Sequence, residues 1–298
     1  MTEEEKPFAT DYDGPWKEAL DFAPRLFLAR FQSTISQEID WTEEPRSLDE
    51  ELRRMSTQDQ EGIRRVDRLL LFKTLSEDLL YLHIEVQCFY DPDLGRRVMT
   101  YRHRLRARHD QPMITIVVLG DERRGWRPKK HKEGKYGSAD ICEWIPIKLL
   151  DLSRNMAELE SDENVFALFV AAHLETMATR KDLVKRQEAK NRILSNLQSR
   201  NLDKADGGRW YDLIDWLMKL PKEMNEAVYQ KQEEIGMKWG GYAAQKGRKE
   251  GEMLGRIHEC QELLKQKPTP DEELLGMKQE ELETLLARLR EQLAPNGR

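Results

Sequence analysis

Two strand-length segments on either side of a short polar turn constrain this chain most. VDRLLLFK covers residues 66–73 and DLLYLHIEVQCFYD residues 78–91, with TLSED between them. In the second segment Leu80, Leu82, Ile84 and Val86 alternate with Tyr81, His83, Glu85 and Gln87. That is the period-two pattern of a β-strand. Two such strands joined by so short a turn make an antiparallel hairpin. Centring the turn near Ser76 sets Asp67 opposite Glu85, roughly 4.5–5.5 Å apart at Cβ. Gln87 shares the face of Glu85, one pleat further on.

A strand this apolar carries a carboxylate only at a cost, unless a cation, an arginine or water in an open cleft holds it. Two carboxylates at cross-strand distance repel each other, and a divalent metal resolves the repulsion. Mg²⁺ takes oxygen ligands, keeps several waters and makes one of them more acidic. The same spacing also fits a solvated hairpin face, with Arg64, Arg65 or Arg68 paired to either acid. His83, on the face of Glu85, reads as a hydrogen-bonded histidine rather than a ligand.

Around the hairpin, residues 14–31 read as a helix with Trp16, Leu20, Phe27 and Phe31 as core positions, broken at Pro24. SLDEELRRMSTQDQ (47–60) is polar and helix-compatible, and residues 94–109 are helical in pattern. MITIVVL (113–119) is the strongest buried-strand signal. Residues 120–140 read as a loop and ICEWIPIKLLDL (141–152) as a last strand. This order predicts an α/β core over residues 10–152. Residues 153–235 come next as a helical domain, with Phe166, Phe169, Leu213, Ile214 and Trp216 on helical spacing and Pro221 ending the last helix. Residues 236–298 form a charged helical tail. Gly247, Gly251 and Gly255 fit a frayed helix or a close-packed seam. Leu282, Leu285, Leu286 and Leu289 make a packing face or a self-association helix, so a homo-oligomer through these C-terminal helices is expected.

The 298 residues are 39% hydrophobic and 35% charged, with net charge −6 and pI about 5.7. That excludes a uniformly basic nucleic-acid coat and leaves room for a local basic patch. One candidate is RRVMTYRHRLRARH (96–109), where Arg97, Tyr101, Arg104 and Arg108 share one side of a helix and Arg102 adds charge. Another is RRGWRPKKHKEGKYG (123–137), with Lys129 and Lys130 among Trp126 and Tyr136. Both fit phosphate binding and both fit solvated charged faces. Three scattered cysteines with no CxxC pair argue against a disulfide framework or zinc site. The acidic start MTEEEKPFAT is no signal peptide, and no run reaches the ~18–20 apolar residues of a membrane span. A cytoplasmic protein with no membrane partner is expected.

The acid opening one strand, then acid-x-Gln on the next, resembles the PD-(D/E)XK nuclease pattern. The ordered set DGPWKEAL (13–20), IDW (39–41), SLDEELRRM (47–55), RVDRLLLFK (65–73), HIEVQCFYDPDLGRRVMTYRHRL (83–105) and GDERRGWRP (120–128) is similar to the Rpn-type recombination-promoting nucleases and putative transposases, the YhgA-like group. DLIDWLMKLP (212–221) resembles the rear half of its longer members. The resemblance implies a restriction-endonuclease-like core with a mixed sheet, then an α-helical extension. It implies a DNA endonuclease dependent on Mg²⁺ or Mn²⁺, with Asp67 and Glu85 as metal ligands. Gln87 falls where the wider superfamily has lysine and would orient water. Glu18 matches a supporting helix acid, and Lys17 beside it would supply the charge that Gln87 lacks. The rival reading is an inactive nuclease fold that binds DNA or a protein partner.

Overall fold

The computed structural model describes residues 11–49, 66–109, 111, 113–236, 254–258, 260–261, 263–264, 266–270, 273–274 and 279–293. Two compact units divide the chain, residues 1–238 and 239–298. Among the described residues, no helix is long and apolar enough to cross a membrane.

The first unit is mixed α/β. It opens with α1 (Asp13–Phe22) and α2 (Pro24–Phe31), and Pro24 stands at the first position of α2, where its missing N–H costs nothing. α3 (Ser33–Glu38) and the two-residue β1 (Arg46–Ser47) lead to the hairpin of β2 (Val66–Lys73) and β3 (Leu79–Gln87). Its register runs from Val66 opposite Val86 to Lys73 opposite Leu79, with Asp67 opposite Glu85, as the turn length predicts. α4 (Leu94–His109) crosses over to β4 (Met113–Leu119), which lies parallel to β3. β7 (Ile145–Lys148) adds parallel to β4, giving a mixed sheet of order β1-β2-β3-β4-β7. The polar stretch expected to be helical, residues 47–60, lies largely outside the described residues.

The expected loop over 120–140 is partly a ribbon. β5 (Lys130–Lys135) and β6 (Ser138–Glu143) pair as a separate two-stranded sheet. Tyr136 (φ 54°) and Gly137 (φ 85°) turn between them, both in the left-handed region that a two-residue hairpin turn demands. Its strands carry almost no apolar alternation, so periodicity hides them. The expected last strand over 141–152 accordingly divides into the end of β6, the short β7 and α5 (Leu149–Leu152).

Each face of the sheet has its own core. Leu69, Leu71, Tyr81 and Met113 meet Tyr101 and Leu105 of α4, and Val117 and Leu119 meet Leu94 and Val98. The opposite face carries Arg68, whose guanidinium binds Asp21 of α1, Asp49 and the Lys17 carbonyl (3.1 Å). α6 (Met156–Ser161), α7 (Val165–Ala178), α8 (Leu183–Gln198), α9 (Lys204–Leu217) and α10 (Lys222–Glu234) complete this unit. α7 is apolar all round and buried nearly throughout. Trp16 of α1 packs on Phe166 and Phe169 of α7, and Trp210 of α9 packs on the same two rings. The helices after residue 152 therefore share a core with α1 and belong to the same compact unit as the sheet.

In the second unit, α11 (Gln279–Leu293) buries Leu282, Leu286 and Leu289 against Ile257, Cys260 and Leu274. The leucine stripe thus has a packing partner within its own unit. Gly247 and Gly251 lie outside the described residues.

Candidate active site at the carboxyl edge of the sheet

Parallel pairing aligns Gln87 with Leu119, and Leu119 with Lys148, so β3, β4 and β7 end along one edge. Open α/β sheets bind ligands outside such carboxyl ends. β2 runs the other way, and its first residues come to the same edge, position 67 beside Glu85. Only the backbone place of Asp67 is described; its side chain lies outside the described residues.

Glu85 is fully buried, and what holds it is an arginine. Arg97, in the first turn of α4, is also buried and pairs with the Glu85 carboxylate through Nη2. The same Nη2 donates to Gln87 Oε1 at 2.8 Å, while Nη1 pairs with Asp91 in the loop between β3 and α4. Three oxygens of residues 85–91 thus converge on one guanidinium, a planar fork suited to such a set. Gln87 is fixed at both ends, since its Nε2 donates to the Phe89 carbonyl at 3.0 Å.

Next to this pair, His83 sits edge-on to Tyr101, ring centroids 5.9 Å apart, with Nε2 3.9 Å from Glu85 Oε2. Contrary to the expectation of a hydrogen-bonded ring, neither nitrogen has a hydrogen-bond partner among the described residues. Burial pushes its pKa down to about 4, against the upward pull of Glu85 and with help from Arg97. The ring is therefore neutral at pH 7.

A second buried ion pair, absent from the sequence expectations, lies on the same edge. Lys148, the last residue of β7, pairs with Asp121 just past β4 and donates to the Asp121 carbonyl at 3.1 Å. No local pattern announces it, because the partners are brought together only by β4 and β7 pairing in parallel. Beside it, His173 of α7 donates from Nε2 to the Gly120 carbonyl (2.9 Å) and accepts at Nδ1 from Trp16 (3.1 Å). Cys88 is buried there, its thiol held well above the usual range by burial and by Asp13, Asp121 and Asp11.

Other expected site residues fall elsewhere. Lys17 and Glu18 are exposed on α1, which binds the Arg68 side of the hairpin. Arg68 is opposite Ile84, one residue out of phase with Glu85, so it points through the other face. Strand alternation therefore puts the Arg68 guanidinium, with the Lys17 carbonyl it binds, on the face away from the Glu85 side chain. Arg97 is no surface cation. Arg102 is half-buried and ties α4 to β6 through the Glu143 carbonyl (2.6 Å). Arg104, Arg108, Lys129 and Lys130 are exposed.

The donors gathered at Arg97 are carboxylate and amide oxygens, the kind a hard divalent cation takes. A cation already stands among them, as a guanidinium. Among the described residues, no three His, Cys, Asp or Glu side chains are grouped to hold a metal ion. Glu85 and Gln87 are thus suited in kind to a metal at this edge, with the place of Asp67 directly across, while Arg97 occupies the Glu85 oxygen. No protein-family model, curated protein or solved structure matches the chain, so the functional weight of this edge rests on the side chains just described.

Proposed function

We propose that the chain is a metal-dependent DNA endonuclease of the recombination-promoting nuclease and putative transposase type, with a PD-(D/E)XK-like core. The observation that carries this reading is the register: position 67 opposite Glu85, with Gln87 one pleat beyond, at the edge where three parallel strands end. The mixed sheet with its β3–α4–β4 crossover fits such a core. Asp67 and Glu85 would hold Mg²⁺ or Mn²⁺. The chemistry such an ion supplies is charge stabilisation on a phosphate oxygen and a more acidic water. The chain's own residues do the rest. Arg97 gives the buried Glu85 carboxylate its positive partner in the absence of metal. Gln87, oriented by Arg97 and the Phe89 carbonyl, presents its amide toward the same edge. Exposed Arg104 and Arg108 on α4, and Lys129 and Lys130 at the ribbon, would bind DNA phosphates without reading sequence.

The test is Mg²⁺-dependent nicking of supercoiled plasmid. Asp67→Asn and Glu85→Gln, both folded by circular dichroism, should lose cutting by at least about a hundredfold. Variants that cut like the parent chain overturn the reading. The Arg97–Glu85 pair favours one second reading, an inactive nuclease fold that binds DNA. A gel shift with no cleavage across Mg²⁺, Mn²⁺ and Ca²⁺ would select it.

A further inference from the structure

We infer that Arg97 is the resident counter-cation of this edge, and that its ion pair with Glu85 and a divalent metal on Glu85 exclude one another. The inference rests on the proposed reading of Glu85 as a metal ligand, and adds that the chain carries its own competitor for that ligand.

The geometry has three parts. First, the guanidinium is bound by oxygens that are themselves metal donors in kind: Glu85, Gln87 at 2.8 Å and Asp91. Arg97 therefore does not sit beside a cation site. It uses the same oxygens. Second, the pair is out of water, with Arg97 5% exposed, Glu85 0% and Gln87 6%. A carboxylate so placed is stable only with a positive partner, so removing one cation creates demand for another. Third, the cation is tethered. Arg97 lies in the first turn of α4, whose burial continues through Val98, Tyr101 and Leu105. The helix is anchored whether or not Arg97 is paired, so the guanidinium can leave Glu85 by side-chain rotation without unpacking α4.

Competition for one ligand has a definite consequence. The metal affinity of the free chain is reduced by the stability of the Arg97–Glu85 pair, since the ion must break that pair to bind. Weakening the guanidinium should strengthen metal binding, whereas damage to an ordinary supporting residue would weaken it.

The experiment is Mn²⁺ binding to the full chain by calorimetry and by the loss of the free-ion electron-spin-resonance signal. Thermal unfolding in chelator and in excess Mn²⁺ accompanies it. Arg97→Gln should bind Mn²⁺ about tenfold tighter than the parent chain or better. It should melt lower than the parent in chelator and recover in Mn²⁺. The Arg97→Gln/Glu85→Gln double variant should lose the added affinity. Arg97→Lys keeps a point charge that cannot bridge three oxygens, and should fall between parent and Arg97→Gln. It also serves if Arg97→Gln does not fold. Unchanged or weaker Mn²⁺ binding in Arg97→Gln, or in Arg97→Lys if only that variant folds, overturns the inference. So does tighter binding that survives Glu85→Gln. Neither readout uses cleavage. A chain that never cuts DNA but gains metal on losing Arg97 sinks the nuclease reading alone. A nuclease whose Mn²⁺ affinity ignores Arg97 sinks this inference alone.

Discussion

Arg97 on α4 and Glu85 on β3 form an ion pair that is almost entirely closed to solvent. Both charges lost their hydration on folding, so Glu85 depends on the guanidinium, which itself has Asp91 as a second carboxylate. Removing Arg97 should cost about 3–5 kcal/mol in the absence of metal, because Glu85 is left buried and uncompensated, and removing Glu85 should cost less, because Arg97 keeps Asp91. Replacing both with apolar residues, as in Arg97→Met/Glu85→Leu, should cost less than the Arg97 change alone. Urea denaturation in chelator reads all three variants. Single-variant losses that simply add in the double would show that the two charges do not depend on each other.

Two buried histidines make stability depend on pH in a definite window. His83 and His173 are both held at about 4, below the ordinary 6.5, burial being the main cause in each. Between these values the unfolded chain binds the protons that the folded chain refuses. Stability should therefore be fully present above pH 6.5 and fall as pH drops toward 4. Each ring contributes up to roughly 3 kcal/mol. His83→Phe, which keeps a ring against Tyr101, should remove about half of the slope between pH 6.5 and 4.5. Denaturant midpoints at several pH values measure it, and an unaltered slope would show that His83 already carries its proton in the folded state.

The hairpin was legible because two local facts, alternation and turn length, determine its register completely. The α4 boundaries and the break at Pro24 were legible for a similar reason, each being set by residues next to one another in sequence. The cation on Glu85 was not. By helical angle Arg97 lies with Tyr101, Arg104 and Arg108, as the spacing implies. Yet Arg97 and Tyr101 are buried while Arg104 and Arg108 are exposed. A long side chain at the margin of a buried stripe turns inward only if the layer below offers it a partner. Which carboxylate lies below depends on how the crossover sets α4 over β3, and no window of sequence contains that. The placement of Lys17 and Glu18 has the same ground, since spacing says that a helix covers the hairpin but not which face.

Gly120 marks where α7 closes on the sheet edge. A Cβ built there would lie 2.9 Å from His173 Cε1, 3.0 Å from Nε2 and 3.2 Å from Cys88 Sγ. His173 cannot yield easily, since Trp16 and the Gly120 carbonyl hold both its nitrogens. Gly120→Ala should therefore destabilise by about 1–3 kcal/mol, as overpacking does, and Gly120→Val by more. Thermal unfolding checks it. An alanine variant as stable as the parent would mean that the imidazole shifts freely and that its two hydrogen bonds contribute little.

Arg186 of α8 is buried without a carboxylate within salt-bridge distance among the described residues. Its Nη2 donates to the Thr176 carbonyl in the last turn of α7 (3.0 Å), and Nη1 donates to the Lys219 carbonyl just past α9 (3.3 Å). Nε reaches Thr179 Oγ1 at 3.4 Å. The guanidinium thus satisfies a carbonyl that the end of α7 leaves without an intrahelical partner and another just past α9, near the negative ends of both helix dipoles. Burial lowers its pKa, but guanidinium remains charged throughout the working pH range. Arg186→Ala should cost about 3 kcal/mol or more, from lost charged hydrogen bonds and the cavity together. Arg186→Met restores most of the volume and none of the bonds, so the difference between these variants isolates the packing share. Arg186→Lys keeps the charge but cannot reach both helix ends, and should recover less than half of the loss. Urea unfolding of the three variants decides the matter: a lysine variant equal to the parent would mean that net charge near the helix ends suffices and the fork geometry is immaterial.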